Sequence, residues 1–538
     1  MDTRRHTLQR WATLPLRGPR DQGPRFQRGR NRVPGPTRAR AGWLWGLAWA
    51  ALTVAVGLAV GLPGPATLDP DEHAAVLYFD RLVAGDRLED PLLSSPKPLL
   101  TVVHGLAWHA AGDWRLLEVV TVAVFALAVV CLARAAARLG GPAAAAATVV
   151  AVAGSGPLFL QAARGNSLVF ALAGWSVALD ALTGGVPGDP RAGGGRDQGG
   201  SGAAWGVAAA ALTAAALARA ETWLLLPVAA GFGVAAWRRG DRRGLWLLLP
   251  LAAPLLWLAH DWLLTGDPLY GVRVPGRYTD LVSGRQVVPP GEWAALVARR
   301  SAADPLLLGL AVVGGAWLVQ RRAWVWVAWL TVLGAGVLAL LGVQAGQGTY
   351  ISWRYFDPAD VALRLAAAFG AAAVAGAVGN RLGGRAGWAG PAAGVGAVLL
   401  VGAACWPLAP ADPLVDSTLD RDRRLSANTA TAIDVLRPVA AEPGTVITAS
   451  GPQRVRVAVE LDLPLGRVRD LFLAGLSAPL DRALAGSTAV FHDADGDRPP
   501  ERFAPLSTTV PARVGEVRLV PLRTDPERGL YVHRVEEP

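Results

Sequence analysis

The chain has 538 residues, 52% hydrophobic and 17% charged, whereas a soluble domain carries about 25% charged residues, so a purely cytosolic globular protein is excluded. A net charge of +10 suggests nucleic acid, but residues 1–41 hold +9 and the remainder +1. The basicity is a tail and not a groove, and no nucleic-acid partner is expected. Cys131 and Cys405, the only cysteines, both sit inside apolar runs, which excludes a disulfide framework and a cysteine-based zinc site.

In chain order, residues 1–41 are rich in Arg, Pro and Gly without apolar periodicity and predict a disordered basic cytoplasmic tail. Its charge reads as a topology signal and as a contact for anionic membrane lipids. Residues 42–62 follow without a charge, about 31 Å of helix and enough to cross a bilayer core. Further apolar runs at 115–139, 142–160, 166–183, 203–219, 222–237, 244–264, 304–320, 323–344, 359–379 and 388–407 bring the expectation to about eleven transmembrane helices. Arg134 with Arg138, Arg191 with Arg196, Arg238–Arg243, Arg321–Arg322 and Arg381 with Arg385 all fall in turns on the side of the tail. Positive charge marks the cytoplasmic face, which predicts a multi-pass plasma-membrane protein with its N-terminus cytoplasmic and its C-terminus extracytoplasmic. Gly184–Gly202 lacks the ending of a phosphate loop and reads as a linker.

After Trp406 the pattern changes, and residues 408–538 predict a small extracytoplasmic α/β domain. Strands are expected at Thr445–Ala449, Arg454–Leu461, Thr488–His492, Glu516–Val520 and Leu530–Val535, with helices near 426–441 and 467–485. His492–Asp497 hints at a calcium loop, but Gly496 is at the wrong offset and Ala504 stands where a bidentate Glu is needed. An acidic turn is the better reading.

The chemistry collects in the first outer loop, 63–114. Asp69 as N-cap, Pro70 at the first helical position and Glu72 three residues on make a capping box ahead of an amphipathic helix. That pattern does not need Asp71, whose carboxylate at a helix start stays ionised and suits a base or ligand. Lys97, between two prolines, is the only lysine in the chain and reads as a compact phosphate-binding ammonium. On the same face, Tyr350–Pro358 carries Arg354 and Tyr355, which read equally as an aromatic-belt anchor. Arg164 and the Arg219/Glu221 pair read as interfacial ion pairs or as supporting groups.

At these residues the sequence resembles the GT-C glycosyltransferases, in the branch of dolichyl-phosphate-mannose–protein mannosyltransferases and lipid A aminoarabinose transferases. The resemblance covers residues 42–407: Asp71-Glu72 after the first helix, Lys97-Pro98 with Leu99–Ala111, Gly154–Arg164, Trp262–Tyr270 and Arg354–Pro358. Asp357 stands where that family commonly has a hydrophobic residue. The resemblance implies a mainly α, polytopic GT-C-like catalytic domain that moves a mannose-like sugar from a polyprenyl-phosphate donor to an acceptor hydroxyl on a protein, glycan or lipid, with inversion. It implies Asp71 as base with Glu72 assisting, Lys97, Arg354 and Tyr355 at the donor phosphate, and Asp69, Arg164 and Glu221 behind them. A divalent metal is compatible with that chemistry and not required by it. The other readings are a transporter or flippase for a lipid-linked or polar solute, and a membrane scaffold for the C-terminal domain. Spans nearly free of charge argue against transport, and the concentrated charged set against a scaffold.

Overall fold

The computed structural model describes residues 70–88, 92, 95–185, 201–274, 292–302, 304–347, 353–383, 389–405, 413–471, 479–494 and 503–537. The expected tail 1–41, the run 42–62, Asp69 and most of the Gly184–Gly202 linker lie outside them. So do the side chains of Asp71 and Arg354.

Two short helices come first, α1 (Pro70–Ala84) and α2 (Pro98–Ala111), each opened by a proline. A helical bundle follows: α3 (Trp114–Ala153), α4 (Gly156–Ala163), α5 (Ser167–Gly185), α6 (Ser201–Ala218), α7 (Leu226–Arg238) and α8 (Ala253–Thr265). It continues through α9 (Trp293–Ala302), α10 (Pro305–Gln320), α11 (Trp324–Thr331), α12 (Val337–Gly346), α13 (Asp357–Gly383) and α14 (Ala389–Cys405). The ten later apolar runs are largely helical where described, several of them divided between consecutive helical elements. Six described helical stretches are long and apolar enough to cross a membrane, and three shorter apolar helices lie among them. The count of about eleven spans is not confirmed: six stretches qualify among the described residues, one of them the 40-residue Trp114–Ala153, and the run 42–62 lies outside those residues.

The runs 115–139 and 142–160 meet in α3, which is interrupted at Gly141 (φ 71°) just before Pro142. Pro142 removes a donor and crowds the preceding turn. Past the break, Ala144, Val149 and Val152 pack into the core of α5, α6 and Trp326, while Ala147 and Ala151 face α10, α13 and α14. Small alanines let this one segment serve both sides.

Beyond the bundle lies the C-terminal α/β domain, whose long helix α15 (Pro413–Ala440) precedes a six-stranded sheet. The chain runs β1 (Ile447–Ala449), α16 (Arg454–Glu460), β2 (Val468–Asp470), α17 (Leu480–Leu484), β3 (Ala489–Asp493), β4 (Ala512–Val514), β5 (Val517–Asp525) and β6 (Leu530–Glu536). The sheet order is β2-β1-β3-β6-β5-β4, with β2, β1 and β3 parallel and the rest antiparallel. Alternate side chains divide between its two faces. Phe491 and Val532 meet α15 and α16, whereas Val490 and Val535 meet α17 and Phe503.

Two sequence expectations fail here. Arg454–Leu461 is a helix and not a strand. Its alternating valines also hold a helical spacing, with Val457, Ala458 and Leu461 buried on one side. Within 467–485 the described residues form β2 and α17 rather than one long helix. The expected helix near 426–441 and the other strands are present.

Candidate functional site

The site is built on α1 and α2. Gly105 of α2 allows the contact between them, since a Cβ there would lie 2.1 Å from Phe79 Cγ of α1. Lys97, held extended (φ −118°, ψ 105°) by the proline after it, occupies the N-cap position of α2. Lys97, Thr101 and His104 are spaced i, i+4, i+7 and share one helix face. That face meets Glu72, whose side chain is 1% exposed. Glu72 Oε1 lies 3.6 Å from Lys97 Nζ, and Oε2 lies 3.3 Å from His104 Nδ1. Burial, helped by the Lys97 charge, pulls the His104 pKa down to about 3, so the imidazole is neutral near pH 7. Lys97, not His104, therefore supplies the positive charge at Glu72.

A second pair faces this group. Arg219 grips Glu221 through two hydrogen bonds, Nη2 to Oε1 at 2.6 Å and Nε to Oε2 at 3.2 Å. Lys97 is close enough to Glu221 to interact with it electrostatically.

The stretch Trp262–Tyr270 props the Lys97 loop. Leu88 N donates to Leu264 O at 2.8 Å, Tyr270 Oη donates to Leu92 O, and Ser95 Oγ donates to Gly271 O at 3.4 Å. Gly271 N in turn donates to the buried Asp261 carboxylate at 2.8 Å. A Cβ at Gly271 would lie 2.8 Å from Ser95 Oγ and 2.9 Å from Asp261 Oδ2, so this crossing requires glycine.

Among the residues expected from sequence, Glu72 and Lys97 come into contact and Glu221 stands near Lys97. Asp71 belongs to the first turn of α1, next to Glu72. Arg164 is engaged elsewhere, with Nε 2.9 Å from Asp422 Oδ2 on α15. Tyr355 packs against the cluster of Val337, Leu341, Ala345 and Phe356 at α12. The unusual Asp357 is buried and accepts a 3.0 Å hydrogen bond from Gln161 Nε2, which ties the start of α13 to α4. His104, Thr101, Asp261 and Gly271 were not foreseen. The seven-residue spacing of Lys97 and His104 was the one available signal. Among the described residues no group of three or more His, Cys, Asp or Glu side chains could hold a metal ion.

Neither a protein-family model nor a curated protein matches the sequence. Solved structures do share the fold. One is the Archaeoglobus fulgidus oligosaccharyltransferase tethered to an acceptor peptide containing the NVT sequon (TM-score 0.50, 12% identity, 84% of this chain and 69% of that one). The same organism's oligosaccharyltransferase AglB, in complex with an inhibitory peptide and a dolichol-phosphate, gives TM-score 0.50 and 13% identity over 84% of this chain and 69% of that one. ArnT from Cupriavidus metallidurans in the apo state aligns over 92% of this chain and 98% of its own, with TM-score 0.50 and 14% identity. At these identities the likeness is one of fold, shared with the oligosaccharyltransferases and with ArnT.

Proposed function

We propose that the chain is a polyprenyl-phosphate-sugar-dependent glycosyltransferase working at the outer face of the plasma membrane, with its N-terminus cytoplasmic and its C-terminus outside. The observation that carries the reading is the Glu72–Lys97 contact, an ammonium fixed beside an enclosed carboxylate at the junction of α1 and α2. Phosphate departure needs a placed cation, and hydroxyl attack needs a nearby carboxylate. Asp71 takes the proton of the acceptor hydroxyl as its oxygen bonds to the anomeric carbon. The bond from that carbon to the phosphate oxygen breaks, and the polyprenyl phosphate leaves with the electron pair. Lys97 and Arg354 meet its charge, and Tyr355 borders that group. Glu72 holds Lys97 in place, with Glu221 and Arg219 behind it. One displacement inverts the anomeric centre, and the sugar is mannose-like.

The test is transfer from radiolabelled polyprenyl-phosphate mannose and polyprenyl-phosphate arabinose by the purified chain. Release of polyprenyl phosphate coupled to a glycosylated acceptor is expected, and Asp71→Asn should abolish it while the protein stays inserted and folded. Full turnover by Asp71→Asn would sink the base assignment. Movement of intact lipid-linked sugar across vesicles without release would favour a flippase.

A further inference from the structure

In the C-terminal domain β1 lies between β2 and β3, all parallel, and the connection leaving β1 heads toward β2 whereas the one leaving β3 heads toward the β6–β5–β4 side. Open parallel sheets bind ligands in the crevice outside the carboxyl ends of strands at such a switch point. Here that place is lined by buried polar side chains. Ser450 and Gln453 follow β1, Asp493 ends β3, and Asn428 approaches from α15. They form one connected set. Asn428 Nδ2 donates to Asp493 Oδ2 and to Arg528 O, both at 2.8 Å. Asp493 N donates to Ser450 Oγ at 2.8 Å, and Gln453 N donates to Ser450 O at 2.8 Å.

Two atoms of this set stand out. The amide oxygens of Gln453 (3% exposed) and Asn428 (1% exposed) have no hydrogen-bond partner among the described residues. A buried acceptor without a donor costs about 1–3 kcal/mol, and both fall at the strand ends where a ligand would sit. What is missing is a donor. The neighbouring cations are turned to the protein's own acceptors: Arg454 to Val468 O and Leu465 O, Arg456 to Ser426 Oγ and Glu460. Buried amide oxygens are acceptors and do not suit a phosphate or carboxylate. They suit hydroxyl groups.

We propose that this crevice is a subsite for the hydroxyl-rich end of a glycan, held through donation to Gln453 Oε1 and Asn428 Oδ1. The proposal rests on the transfer reading and assigns the acceptor to the glycan class. Placement supports it. Asp422 of α15 is the residue gripped by Arg164 of the bundle, and Asn428 lies six residues further, about 9 Å along the helix. The crevice thus stands less than two turns along α15 from the contact with the bundle.

The experiment uses the full chain in detergent, without donor, with mannotriose as probe and saturation-transfer NMR as readout. Wild type binds; Gln453→Met binds about tenfold more weakly, as expected for one lost buried hydrogen bond. Gln453→Glu, which keeps an oxygen acceptor, retains binding, and Glu72→Gln binds as wild type does although transfer is lost. Matched melting temperatures for the two Gln453 variants separate a lost contact from a damaged domain. Absence of mannotriose binding by wild type, equal affinity of wild type and Gln453→Met, or displacement of the sugar by spermidine would each overturn the proposal. Binding that depends on Gln453 in a chain that consumes no donor would instead defeat the transfer reading alone.

Discussion

At the scale of single residues the decisive arrangement is a carboxylate sealed from water with its cation at the rim. Glu72 is 1% exposed and Lys97 18%. Removing one partner of such a pair leaves an uncompensated buried charge. Lys97→Met should therefore cost about 3 kcal/mol of stability and slow sugar transfer about a hundredfold. The double variant Glu72→Gln/Lys97→Met removes both charges and should recover most of the stability and none of the transfer. Thermal melts and transfer assays on the three proteins check this; a double variant no more stable than Lys97→Met would show the two groups uncoupled. Lys97 stands out in the sequence as the sole lysine, and Glu72 through the capping pattern at the start of α1. His104 was not legible. Its spacing from Lys97 puts both on one helix face, but its partner Glu72 lies on another helix, which spacing within one helix does not mark.

Between elements, α10 and α13 approach so closely that neither tolerates a side chain at the crossing. A Cβ at Gly314 would lie 1.8 Å from Ala366 O, and one at Gly370 would lie 1.9 Å from Leu310 O. Both clashes are with main chain, which cannot rotate away. Gly370→Ala should force the helices apart and cost about 2 kcal/mol. Gly376→Ala on the same helix has open space around it and should be neutral or slightly stabilising, by up to about 1 kcal/mol. Melting in detergent separates the outcomes; equal midpoints for the two variants would refute the close packing. Apolar length made the helices themselves legible, because a run of some twenty residues has little choice in a bilayer. Their contacts were not, since a glycine at a crossing and a glycine facing open space look the same in one sequence. The Val455–Leu461 stretch shows the converse limit. Seven residues of alternating valine satisfy a two-residue and a 3.6-residue period nearly as well, and the neighbouring elements decide.

For the whole molecule, stability is tied to pH through two enclosed histidines. His73 is edge-on to Trp114, whose indole donates to Glu460 of the C-terminal domain at 2.7 Å. Burial lowers its pKa well below the ordinary value, and the Arg456 charge adds to this. His104 behaves likewise, at about 3. In the unfolded chain both take a proton near pH 6.5, whereas the folded chain resists it. Their contribution is thus intact above pH 6.5 and is lost progressively as the pH falls below it. For His104 the loss amounts to about 2 kcal/mol between pH 7 and pH 5. The melting temperature of wild type should drop over that interval, and that of His104→Gln should drop less. Equal drops would rule out His104 as the cause. Because His73 sits where α1, α3 and α16 meet, acidification bears on the seating of the C-terminal domain as well as on the site.

The solitary lysine has one more consequence. In this chain of 538 residues, an amine-selective reagent meets a single side-chain target. That target stands at the junction of α1 and α2, beside Glu72. Covalent footprinting of the unaltered protein is therefore a direct occupancy gauge. If the proposed donor phosphate sits at Lys97, the fraction of Lys97 acylated, read by mass spectrometry, should fall on adding a polyprenyl phosphate, with no label introduced by mutation; an unchanged fraction would count against that placement.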